Sequence, residues 1–126
     1  MSKLLLDTDV LIDVLRGRDS TRARLVDLTS RFVPCCSVIT VAEIYAGMRQ
    51  EEEDATRMLL DSLIMIPVTG ETAELAGRLR YKAKSRRLEL ADCLIAATAL
   101  IESATLATGN VKDYPFADLS LIDMRA

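Results

Sequence analysis

The chain contains no histidine and no tryptophan. Without imidazole there can be no Ser-His-Asp triad, no histidine-based ribonuclease pair and no imidazole-ligated zinc. Any catalysis must run on carboxylates, hydroxyls, Lys, Arg or a bound metal. Aromatics are also scarce, 4% against 50% hydrophobic residues, so the core must be built from Leu, Ile, Val and Ala. An apolar surplus in so short a chain points to a buried partner surface. The three cysteines, Cys35, Cys36 and Cys93, are odd in number and lack CxxC spacing. That predicts neither a disulfide framework nor a zinc site and fits a reducing cytoplasm. The longest uncharged apolar stretch, Cys93 to Ile101, falls far short of the ~20 residues of a bilayer span. Lys3 followed by Asp7 leaves no room for a signal-peptide core, so the expectation is a cytoplasmic protein with no membrane contact. A net charge of −3 gives no basic balance to announce nucleic acid; any such contact would have to be local.

What is present is an alternation. At 126 residues the chain predicts one domain, 1–126, able to bury about two-thirds of its unfolded surface. Short apolar or β-branched runs at Leu4–Leu6, Val33–Ile39, Leu63–Val68, Thr105–Thr108 and Leu119–Ile122 read as buried strands. Helical periodicity covers Thr8–Arg16, Ser20–Ser30, Val41–Gly47, Glu52–Leu63, Glu71–Ser85 and Leu90–Ser103, with Gly17 ending the first helix. Strands alternating with helices predict an α/β fold, a mainly parallel sheet covered on both faces. Two charge blocks stand out: acidic Glu51 to Asp54, and six cations between Arg78 and Arg87 with no acid among them. The basic stretch is either a set of phosphate contacts or a solvated helix face balancing Glu51–Asp54.

In such a sheet, ligands bind outside the carboxyl ends of the strands, where loops and helix N-termini gather. Four acids fall there. Asp7 ends the run "LLLD", where Asp7 or Thr8 could simply cap the following helix. Glu43 lies three residues after Thr40 in "TVAE", the spacing of a capping box. Asp92 opens "LADCLIAATALI", a helix apolar almost all round and therefore central, where the helix dipole also favours an acid. Asp113 follows Asn110 in a turn beyond the strand Thr105–Thr108. Each has a structural role open to it, but all share one edge of the sheet. Carboxylates gathered so closely repel by several kcal/mol, and no histidine can neutralise them; a hard divalent cation with all-oxygen ligands would. Asp13, one turn beyond Asp9, is expected to face solvent or a partner.

With these acids placed, the chain resembles PIN-domain proteins of the VapC toxin type over its whole length. The resemblance rests on "LLLDTDVLID", "SVITVAEIYAGM", "ELADCLIAATAL" and "LATGNVKDYP", four segments in family order and spacing. It implies a three-layer α/β/α PIN-like domain acting as a Mg²⁺- or Mn²⁺-dependent endoribonuclease, held by a cognate antitoxin and dimeric. Asp7, Glu43, Asp92 and Asp113 would be the acidic quartet, with Asp7 and Asp92 on the ion directly and RNA as substrate. Thr8 and Thr40 would be supporting hydroxyls, and Asn110 would shape the last loop. Asp9 stands where the family more often has Asn and is grouped with these supporting residues. Tyr114 stands where Phe is usual.

Two other readings are open. "LLLDTDVL" also resembles the D-x-D signature of haloacid-dehalogenase-type phosphatases, with Asp7 as nucleophile and Asp9 as general acid. Against it, Leu11 stands where that signature wants Thr or Val, and Glu43 and Asp92 go unexplained. A non-catalytic interaction module of the same fold would leave the acids purely structural.

Overall fold

A computed structural model describes residues 1–84 and 88–125. The strand β1 (Ser2–Leu6) is the centre of the molecule. Its Leu4, Leu5 and Leu6 have no solvent exposure, as an apolar strand buried on both faces requires. It pairs in parallel with β2 (Phe32–Ser37) on one side and β4 (Thr105–Thr108) on the other. The edges are β3 (Ile64–Ile66) beside β2 and β5 (Leu121–Asp123) beside β4, giving the order β3-β2-β1-β4-β5. The sheet expected to be mainly parallel is parallel at every pairing among the described residues.

Among the described residues six helices cover it: α1 (Thr8–Leu15), α2 (Asp19–Leu28), α3 (Val38–Gly47), α4 (Glu53–Asp61), α5 (Gly70–Lys82) and α6 (Leu90–Ile101). The two-residue period of β1 sends successive leucines to opposite faces. Leu4 and Leu6 join Val10 and Leu11 of α1, Leu28 of α2 and Leu60 of α4 in one core. Leu5 joins Ile95, Ala96 and Ala99 of α6 in the other. Helix α6 is buried on its far side as well, where Cys93 and Ala97 meet Ala76 of α5. Its near-continuous apolar sequence is thus explained: it lies between the sheet and another helix, completing the α/β/α layering. Gly17, at φ 80°, follows α1 in the left-handed region that favours glycine. The three cysteines are free and buried.

One local expectation fails. Thr40 and Glu43 do not form a capping box, because α3 begins three residues earlier than expected, at Val38. Ser37 caps it, its hydroxyl accepting the Ile39 N–H at 3.1 Å. Val38 and Ile39, β-branched and apolar, read locally as the end of β2, but packing draws them into the first turn of the helix. Glu43 is therefore released from capping duty.

Candidate functional site

The sheet order reverses direction at β1: one set of crossovers leads out through β2 to β3, the other through β4 to β5. The crevice between the carboxyl ends of β1 and β4 is therefore the switch point at which such sheets bind ligands. Asp7 follows β1 at this point, and its N–H continues the ladder to Ala107 O at 2.9 Å. The loop carrying Gly109, Asn110 and Asp113 leaves β4 beside it.

Asp7 is only 7% exposed and is held by three donors. Its Oδ1 accepts the Thr8 N–H at 2.8 Å, which makes Asp7 the N-cap of α1. Its Oδ2 accepts the Thr108 hydroxyl at 2.8 Å and the Tyr114 hydroxyl at 2.9 Å. Burial pushes the Asp7 carboxyl above the usual range, and the three donors oppose that shift. Burial likewise raises the Tyr114 phenol, followed by the negative charge of Asp7, so this hydroxyl stays a donor.

Glu43, exposed in the second turn of α3, accepts the Thr8 hydroxyl on Oε1 at 2.6 Å. The same hydroxyl lies 3.1 Å from that of buried Thr40. The pair predicted as supporting hydroxyls therefore ties α1 to α3 and steers Glu43. Asp92 occupies the first turn of α6. Its carboxyl is pushed up to about 6 by partial burial first, then by the charges of Asp113, Asp7, Glu89 and Glu43 in that order. Asp92 thus feels the charge of the other three acids named from the sequence, and of Glu89.

They do not touch. Among the described residues no three acids or cysteines group closely enough to form a ready-made metal cage. The donor set still fits Mg²⁺ or Mn²⁺, which use one or two carboxylates and fill their remaining positions with water and substrate phosphate. After burial, the largest cause of the rise at Asp92, comes repulsion from neighbouring carboxylates, which a cation would relieve.

Asp9 points elsewhere. Its Oδ2 accepts the Gly109 N–H at 3.0 Å and the Asn110 side-chain amide at 2.9 Å, pinning the β4 loop to α1. Its Oδ1 is buried with no hydrogen-bond partner. Burial and then the charge of Asp7 push its carboxyl up to about 6, opposed by Arg125. As a loop clamp it is poorly placed for the general-acid role of the phosphatase reading. Asp13, expected to face solvent or a partner, instead anchors Arg125, whose Nη2 donates to both of its oxygens at 3.2 Å. Arg18 at 3.6 Å and the Thr21 hydroxyl at 3.3 Å complete its contacts.

Sequence reasoning missed Thr108, Gly109 and Arg125, and took Tyr114 only as a substitution. The basic stretch is partly visible: Arg78 pairs with Glu74 one turn away at 3.6 Å, not with the Glu51–Asp54 block, and Tyr81 between the cations is 90% exposed. Arg86 and Arg87 lie outside the described residues.

The raised carboxyls carry a sign. An unfolded Asp titrates near 3.9, so between about pH 4 and 6 the folded chain holds more protons through Asp9 and Asp92, and Asp7 is shifted in the same direction. Metal-free stability from these groups must therefore fall as pH rises through that window. In EDTA, thermal unfolding is expected a few degrees higher at pH 5 than at pH 7. A divalent cation held by the deprotonated carboxylates would narrow the gap. A melting temperature that climbs with pH in EDTA would contradict this.

The PIN domain family model matches residues 4–119. Ribonuclease VapC10 of Mycobacterium tuberculosis is 40% identical over 114 residues, 89% of this chain and 86% of the relative. Ribonuclease VapC19 of the same organism is 34% identical over 119 residues, 91% and 95% of the two chains. A toxin-antitoxin complex from Klebsiella pneumoniae contains a chain that superposes with a TM-score of 0.82 at 30% identity, covering 97% of this chain and 98% of that one. These matches decide against a phosphatase: the chain belongs to the PIN-domain family, among its VapC-type members.

Proposed function

We propose that the protein is a metal-dependent endoribonuclease that hydrolyses RNA phosphodiester bonds and serves as the toxin of a VapBC-type pair. The observation that carries this reading is the electrostatic convergence of Asp7, Glu43, Asp92 and Asp113 on the switch point of the sheet. Asp7 and Asp92 would hold Mg²⁺ or Mn²⁺ directly, with Glu43 and Asp113 reaching it through water. When bound, the ion would supply an acidified water and neutralise charge on the phosphate. The chain's own groups prepare for this. Thr8, Thr108 and Tyr114 fix the Asp7 carboxylate, Thr8 steers Glu43, and Asp9 with Gly109 and Asn110 fixes the loop from which Asp113 extends. Exposed Tyr81 beside Arg80 and Lys82 offers a stacking face next to cations, a combination suited to single-stranded RNA.

The reading includes an antitoxin partner, a homodimer and a cytoplasmic location. An open apolar groove of about 480 Å³ lies between α1, α2 and α4, lined by Val14, Leu25, Val26, Leu59 and Leu63. It gives a protein partner surface to cover, and no helix among the described residues is long and apolar enough to cross a membrane. The test is cleavage of RNA by the purified chain with Mg²⁺ or Mn²⁺, stopped by EDTA and restored by re-addition. Cleavage that survives EDTA would remove the metal from the mechanism. No cleavage, together with no metal-dependent rise in melting temperature, would leave an interaction module of the same fold.

A further inference from the structure

The hydrogen bonds around Asp7 can be counted to completion. A carboxylate offers about four lone-pair positions, two on each oxygen. On Oδ2 both are taken, by the Thr108 hydroxyl at 2.8 Å and the Tyr114 hydroxyl at 2.9 Å. On Oδ1 one is taken, by the Thr8 N–H at 2.8 Å. A single position remains, on Oδ1. The Tyr114 ring that delivers its donor is 2% exposed and is packed in the core with Leu5, Ile95 and Leu106. It therefore cannot swing away to vacate Oδ2 without opening that core.

We infer that Tyr114 is a positioning residue that, with Thr108, closes Oδ2 of Asp7, so that this carboxylate meets a cation through Oδ1 alone and never with both oxygens. The inference rests on the metal-site reading above and adds a selectivity to it. Mg²⁺ and Mn²⁺ favour octahedral shells served by one oxygen per carboxylate, whereas Ca²⁺ accepts both oxygens in a larger, looser shell. A carboxylate pinned on Oδ2 therefore suits the smaller ions. Loss of the phenol hydroxyl frees one Oδ2 position and loosens the plane of the group.

The test is metal binding without RNA, by titration calorimetry of Mn²⁺ and of Ca²⁺ into wild type and Tyr114→Phe, with unfolding in EDTA as the check on folding. In Tyr114→Phe the Mn²⁺ affinity is expected to fall about tenfold, the usual scale for losing a group that orients a ligand. Ca²⁺ affinity should hold or rise, so the Mn²⁺/Ca²⁺ ratio falls about tenfold. A variant that merely loosened the fold would weaken both ions alike, and that result overturns the inference, as does an unchanged ratio. If wild type binds Mn²⁺ and the ratio is unmoved, this inference fails alone; if wild type binds neither ion, the metal-site reading fails with it. Should Tyr114→Phe not fold, Thr108→Val removes the other donor on Oδ2 and should shift the ratio in the same direction.

Discussion

Asp7→Asn is expected to abolish RNA cleavage, by about three decades or more, with the fold and its stability retained. The two halves have separate causes. Removing one carboxylate charge from a phosphodiester hydrolase of this design forfeits several kcal/mol of transition-state stabilisation, and each 1.36 kcal/mol is a decade. Stability is spared because an amide can reuse the same contacts. Its oxygen, placed as Oδ1, still accepts the Thr8 N–H. Its NH₂, placed as Oδ2, meets two hydroxyls, Thr108 and Tyr114, and hydroxyls can turn to accept. A buried charge that burial already disfavours is also removed. The check is a cleavage assay run beside thermal unfolding in EDTA. Near-normal cleavage would sink the role of Asp7, and a collapsed melting temperature would show it to be chiefly structural.

Gly109→Ala should damage both activity and stability. A Cβ at residue 109 would lie 2.6 Å from Asp9 Oδ2, 2.8 Å from Arg125 Nε and 3.0 Å from Arg125 Cδ. Arg125 can move, since its pair with Asp13 is partly solvated and such pairs are worth little. Asp9 cannot retreat cheaply, because the oxygen in the way is the acceptor for the Gly109 N–H and the Asn110 amide. The loop must shift instead, carrying Asn110 and Asp113 with it. Overpacking of this kind costs about 1–3 kcal/mol, and a 1 Å displacement of site residues can cost about a hundredfold in rate. Adding Asp9→Ala should return part of the lost stability by making room, a coupling that a double-mutant cycle measures. A Gly109→Ala protein with unchanged melting temperature and rate would show that the loop tolerates the methyl.

How much of this could be read from the chain depended on the range of each signal. β1 and α6 were legible because burial on two faces leaves an unbroken apolar run, whereas β3, also read as buried, is an edge strand with Ile64 and Met65 exposed. Asp92 was legible because an acid inside such a run is conspicuous. Asp7 and Glu43 were found by position, but the Thr40/Glu43 capping box was misread: Ser37 and Thr40 stand three residues apart, both able to cap, and only packing chooses between them. Thr108, Tyr114, Gly109 and Arg125 act on partners about a hundred residues away. A threonine closing a strand or a glycine opening a loop has no local mark of such a partner. The one available clue was the tyrosine in a position usually filled by phenylalanine, an added hydroxyl that required an acceptor.

The strand at the middle of the sheet is made before the four strands that flank it. Asp7 waits 101 residues for Thr108 and 107 for Tyr114. At roughly 5–20 residues per second of synthesis, that is on the order of ten seconds. Until β4 emerges, β1 has only one neighbour, and Asp7 lacks two of its three donors. Closing so long a loop is also entropically expensive and slow. A chain still on the ribosome thus carries its acids unassembled: the hazard of a nuclease loose among the RNAs that encode it begins only once Thr108 and Tyr114 have emerged.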